Sequence, residues 1–143
     1  MVQLTKNEFE TFRNFISNIE LVDVLVIEEY LKKYAINPSN KLKVELNQKD
    51  FDFSIEEHLV TLIKYVVRIK SGNNNYFKFE VNFEIRFKIN DFDFVKKTSE
   101  NKNVFDFFKK FQLPKIIWPY LRAETQYATT KAGMKPFTLP FLK

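Results

Sequence analysis

Phe77-Lys78-Phe79-Glu80-Val81-Asn82-Phe83-Glu84-Ile85-Arg86-Phe87-Lys88-Ile89 alternates apolar and polar residues without a break. A β-strand turns successive side chains to opposite faces, so this stretch predicts a strand with one buried and one wet face. Working backwards, Ser71-Gly72-Asn73-Asn74-Asn75 reads as a turn, because Gly and Asn tolerate positive φ. Before it, Leu59 to Lys70 sets Leu59, Thr61, Ile63, Tyr65, Val67 and Ile69 on one face. Earlier still, Leu42, Val44 and Leu46 alternate with charged and amide residues, and Phe51, Phe53 and Ile55 continue the strand past an irregularity at Gln48-Lys49-Asp50. Ser17 to Tyr34 is rich in β-branched residues and reads as a long strand, apolar on both faces near its middle. Asn37-Pro38-Ser39-Asn40 breaks it. The expectation is an antiparallel sheet with one face covered and the other partly open. Turn lengths alone leave the strand order open.

Both flanks carry helical signals. Thr5 and Glu8 have capping-box spacing, and Phe9, Phe12, Phe15 and Ile16 follow as one apolar stripe. So short a helix must dock, first on the chain's own sheet and otherwise on a partner. Residues 90–103 are polar and read as a loop. Val104 to Phe111 crowds four phenylalanines around Lys109 and Lys110. A helix is expected from about Pro114 to Ala132, with Pro114 in its first turn and Gly133 as C-terminal cap. Pro119 should bend that helix or delay its regular start. The tail from Pro136 to Phe141 is extended.

Composition excludes several functions. The 143 residues fit one domain, 1–143, and the chain contains 17 Phe, 2 Gly, one His and no Cys. Two glycines cannot build a glycine-rich phosphate cradle. Without Cys there is no disulfide, thiol nucleophile or Cys-ligated zinc, and His58 alone makes no His-x-x-x-His site. No cofactor is called for. No run of 18 apolar residues suits a bilayer, and the N-terminus lacks a secretory pattern, so the cytoplasm is the expected compartment. The net charge is +5. The basic excess lies in residues 104–143, where only Asp106 and Glu124 are acidic. A basic end suits nucleic acid or an acidic protein, but a solvated helix face is the plainer reading. Asp91 and Asp93 have no nucleophile or oxyanion donor beside them and read as loop charges.

The C-terminal third resembles SecB-like protein-export chaperones. Leu113-Pro114-Lys115-Ile116-Ile117-Trp118-Pro119-Tyr120-Leu121-Arg122-Ala123-Glu124, then Gly133 and Pro136-Phe137-Thr138-Leu139-Pro140, carry the likeness. The family pattern is an aromatic-Pro-Tyr opening on a long helix, a closing Gly and a Pro-x-x-Leu-x-Pro tail. The resemblance implies an α+β fold: a four-stranded antiparallel Greek-key sheet with the long helix on one face. It implies a tetramer built as a dimer of dimers, no catalysis and no ATP use. The expected partners are unfolded preproteins or, in the toxin–antitoxin branch of the family, an antitoxin.

Export members are acidic and dock on the Sec translocase motor through acidic surface. The basic charge here speaks against that contact. The chain also stops at Lys143 where export members continue into a second helix, has a short link from Ala35 to Asn40, and adds the capped N-terminal helix. These departures point towards a dedicated client.

Phe105, Phe107, Phe108 and Phe111 are the candidates for client or subunit contact. Phe105, Phe108 and Phe111 align on one helical face, with Phe107 elsewhere; the alternative is that all four cap the sheet core. Phe92 and Phe94 stand between edge strand and groove rim. Trp118, Pro119, Tyr120, Leu121, Gly133, Pro136, Leu139 and Pro140 read as structural motif residues. Arg122 and Glu124 either meet a neighbouring subunit or form a local surface pair. The rival readings are a basic, aromatic nucleic-acid-binding module and a purely structural assembly module.

Overall fold

A computed structural model describes residues 3–35 and 41–140. The break at Asn37-Pro38-Ser39-Asn40 and the tail residue Phe141 lie outside them. Four antiparallel strands form one sheet: β1 (Ile19–Lys33), β2 (Leu42–Ile55), β3 (His58–Ser71) and β4 (Asn74–Ile89). Their spatial order is β1-β4-β3-β2, a Greek key. Consecutive hairpins join β2, β3 and β4, while β1 returns beside β4, so β1 and β2 are the two edges.

The alternation of β4 decides which side is buried. Phe77, Phe79, Val81, Phe83, Ile85 and Phe87 lie fully inside, opposite Ile69, Val67, Tyr65, Ile63, Thr61 and Leu59 of β3. Each buried phenylalanine contributes roughly 1.5–3 kcal/mol relative to an exposed one. Burial pushes the Tyr65 phenol up to about 12. The even-numbered β4 residues form the open, charged face.

Both edge strands carry a bulge at the same level. In β1 it falls at Ile27, between the pairs Val26–Phe83 and Glu28–Asn82. In β2 it falls at Asp50, between Lys49–Lys64 and Phe51–Ile63. Asp50 has φ 45, a left-handed conformation that Asp tolerates better than most residues. This is the irregularity expected at Gln48-Lys49-Asp50. Each bulge bends its strand and increases local twist.

Helix α1 (Lys6–Ser17) begins with the complete capping box: Glu8 N–H donates to Thr5 Oγ1 and Thr5 N–H to Glu8 Oε1, each at 3.1 Å. The Thr5 amide, and after it the Asn103 side chain, holds the Glu8 carboxyl below its usual range. The helix docks on later helices as well as on the sheet. Phe15 meets Phe105 and Phe108 edge-on at 6.2 and 5.2 Å, and Phe108 in turn meets Phe87 of β4 at 5.9 Å.

Residues 90–103 are not a loop. Helix α2 spans Phe92–Ser99 and α3 spans Lys102–Phe107. Asp91 caps α2 by accepting from Phe94 N–H, and Asn101 caps α3 by accepting from Val104 N–H. The segment looked polar because its buried stripe is narrow: Val95 and Thr98 bury while the lysines between them stay wet. Asp91 is thus a helix cap.

A π-helical turn, Phe108–Gln112, joins α3 to α4 (Leu113–Lys131). Leu113 N–H reaches back five residues to the Phe108 carbonyl. The wider turn stands where Pro114 lacks an N–H and its ring would crowd the Lys110 carbonyl in a regular helix. Pro119 lies inside α4, which starts before it, so the start is not delayed. Gly133, with φ 77, ends the helix in a Schellman motif: its N–H donates to Thr130 O, and Met134 N–H to Thr129 O, both at 3.0 Å.

Candidate functional site: an aromatic groove between two helices

Helix α1 and the α3–π segment each present phenylalanines to the other and leave a groove between them. Leu4, Phe9, Phe12, Phe107, Phe111 and Lys115 line it, with Gln3 and Gln112 at its rim, and it holds about 640 Å³. Phe12 meets Phe107 edge-on at 4.8 Å, and Phe107 lies 4.7 Å from Phe111. Phe9 is 47% exposed. Such a lining offers apolar contact with few rotatable bonds to immobilise. Lys115 adds one cation.

The six aromatic candidates separate into three groups. Phe107 and Phe111 line the groove. Phe105 and Phe108 are 6% and 0% exposed and belong to the core that holds α1 against the sheet. Phe111 does not share the setting of Phe105 and Phe108: it lies beside Phe107, four positions earlier, the spacing at which successive helical turns meet. Phe92 is 41% exposed at the start of α2, beneath Lys96 Nζ at 5.8 Å, and Phe94 packs half-buried against the core. Neither lines the groove.

The motif residues of α4 and the tail meet one another. Trp118 Nε1 donates to Pro140 O at 2.7 Å, Arg122 Nε to Leu139 O at 2.8 Å, and Gln126 Nε2 to Thr138 Oγ1 at 2.7 Å. Phe137 N–H donates to Thr129 Oγ1. Leu139 and Leu121 are buried. The chain therefore reverses at Gly133 and runs back along α4 as a strap. Pro119 and Tyr120 stay on the outer surface. Glu124 lies near Glu29 and Lys131; burial, and then the Glu29 charge, raises its carboxyl, with Lys131 opposing. Lys131 Nζ pairs with Glu29 Oε1 at 3.3 Å.

Two exposed apolar surfaces lie outside the groove. Along the free edge β1, Leu21, Val22, Leu25, Val26, Ile27 and Tyr30 are all exposed. The expected two-sided apolar middle is present, but on a strand with no neighbour on one side. On α4, Tyr120 and Tyr127, seven residues apart, share an outward face. The groove role of Phe9 was not legible in the sequence; its place at the margin of the α1 stripe was the only signal.

Among the described residues no cluster of His, Cys, Asp or Glu has the makings of a metal site. No helix among them is long and apolar enough to cross a membrane.

The fold has a solved counterpart. A SecB-like chaperone of Mycobacterium tuberculosis, in complex with a ChAD peptide from the HigA1 antitoxin, superposes with a TM-score of 0.74 over 95% of this chain and 99% of that one. Identity is 14%. No protein-family model matches the sequence, and no curated protein matches it. The chain thus has the α+β fold of a SecB-like chaperone.

Proposed function

We propose that the protein is an ATP-independent holdase that seats apolar segments of unfolded or aggregation-prone polypeptides in the α1–α3 groove. One observation carries the reading: an aromatic groove is left open by the described residues, on a fold shared with a SecB-like chaperone. Binding the unfolded state delays its folding and aggregation by mass action, with no energy source. Residues 1–143 act as one domain, in the cytoplasm.

The client is a dedicated one, an antitoxin rather than a broad set of preproteins. The basic net charge supports this, as does the antitoxin peptide held by the M. tuberculosis chaperone. The same charge argues against docking on the Sec motor.

The working form is a homo-oligomer, a tetramer built as a dimer of dimers. Edge strand β1 pairs with β1 of a second copy. Glu20 precedes its middle and Lys32 follows it, so an antiparallel copy centred on Val26 sets Glu20 against Lys32 on either side of Leu25–Ile27, which offsets Asp23 facing Glu29. The Tyr120–Tyr127 face of α4 supplies the second contact.

The test is light scattering of a denatured model client with the pure protein and no nucleotide. Suppressed aggregation at severalfold excess is expected; none at that ratio contradicts the proposal. Val26→Lys should break the oligomer in sedimentation.

A further inference from the structure

The open face of the sheet is divided by charge, and the dividing line is the rung of the two bulges. On the side towards Lys32, a single rung aligns Lys32, Lys78, Arg68 and Glu45 across all four strands. The next rung outward sets Lys70 beside Lys43, and the rung nearest the bulges sets Lys64 beside Lys49. Like charges directly opposite one another in a sheet are destabilising, so the fold itself does not ask for these pairs.

Against seven basic side chains this half-face carries three carboxylates: Glu28, at its margin on the rung of Lys64 and Lys49, and Glu80 and Glu45, which are already engaged. Glu80 bridges Lys64 at 3.8 Å and Lys78 at 3.3 Å, and Glu45 pairs with Lys70 at 3.1 Å. Lys43, Lys49 and Arg68 have no ion pair among the described residues. Met1-Val2, Ile36-Asn37-Pro38-Ser39-Asn40 and Phe141-Leu142-Lys143 contain no acidic side chain that would supply one. Beyond the bulges the sign reverses: Glu20, Asp23, Asp52 and Glu84 outnumber Arg86 and Lys88 on the same face.

We propose that the basic half-face is a docking site for an acidic segment of a partner polypeptide, bound on the side of the sheet away from the aromatic groove. Four strands about 4.8 Å apart and four rungs about 7 Å apart, the third of them Tyr30, Glu80, Val66 and Asn47, make a patch roughly 14 Å across the strands and about 20 Å along them, the span of about six extended residues. A short acidic run fits it. A longer phosphate chain fits less well, because it would run on into the acidic half and over Glu45 and Glu80. Since α1 and α3 pack on the opposite face, partner and client are held together without competing for surface.

The probe is fluorescein-labelled hexaglutamate, titrated by anisotropy with the full chain at low ionic strength, where surface charge is least screened. Binding is expected, and Lys43→Glu/Arg68→Glu should weaken it about tenfold or more. Lys43→Gln/Arg68→Gln should weaken it less, with an unchanged circular dichroism spectrum. Lys110→Glu/Lys135→Glu alters net charge equally but lies off the sheet and should retain binding. Three results would overturn the proposal. They are no hexaglutamate binding, equal loss in the Lys110/Lys135 variant, or tighter binding of a twelve-nucleotide thymidylate strand that the Lys43/Arg68 variant loses.

Discussion

Trp118 Nε1 donates to the Pro140 carbonyl at 2.7 Å and so ties the end of the described chain to the first turns of α4. The two residues are 22 positions apart, and everything between them is arranged by that closure. The Schellman turn at Gly133 reverses the chain, Leu139 drops into the core, and Arg122 and Gln126 hold the intervening tail. The spacing of tryptophan, glycine and the final proline is thus a description of one strap.

Trp118→Phe keeps the ring and removes the donor. It should cost about 1 kcal/mol of stability, the usual net value of one hydrogen bond. Leu139→Ala should cost more, roughly 2–5 kcal/mol, because it empties a buried site. Urea unfolding of both variants checks the order, which reverses if the strap is held by its hydrogen bonds alone.

Much of this architecture was legible in the sequence, and for identifiable reasons. Phe77 to Ile89 declared a strand because one face of the sheet is completely buried. Thr5 and Glu8 declared a helix start because the capping box is local. The failures were tertiary. Asp91 and Asn101 are helix caps, yet the helices they start bury so narrow a stripe that Lys96 and Lys97 concealed it. Three-residue spacing put Phe111 on the face of Phe108, but the four-residue pair with Phe107 is the one formed, and spacing alone does not choose between them. The groove needs Phe9 and Phe12 beside Phe107 and Phe111, a meeting of segments nearly a hundred residues apart that no local pattern encodes.

Glu8 gives the α1 cap a pH dependence. Its carboxyl is held below the usual range by the Thr5 amide. The contribution is therefore fully present above the ordinary carboxylate range and is lost as pH falls through the lowered value. Glu8→Gln should be less stable than the parent at neutral pH and equal to it in strong acid. Thermal melts across that range measure the difference, and a constant gap would refute the linkage.

Glu124 has the opposite sign. Burial and the Glu29 charge raise its carboxyl, so ionising it in the folded protein works against stability as pH rises. Glu124→Gln should melt higher than the parent at neutral pH, and the advantage should vanish in acid. A lower melting temperature at neutral pH would show instead that Glu124 is held as a needed anion.

The central claim is that the α1–α3 groove binds the client. A labelled, permanently unfolded polypeptide titrated against the parent and against Phe107→Ser/Phe111→Ser tests it most directly. Phe92→Ser removes a more exposed ring outside the groove and serves as control. The account predicts that the double variant loses client binding at least tenfold while keeping its melting cooperativity and oligomeric size, and that Phe92→Ser binds as the parent does. Undiminished binding by the double variant, or equal loss in Phe92→Ser, would contradict it.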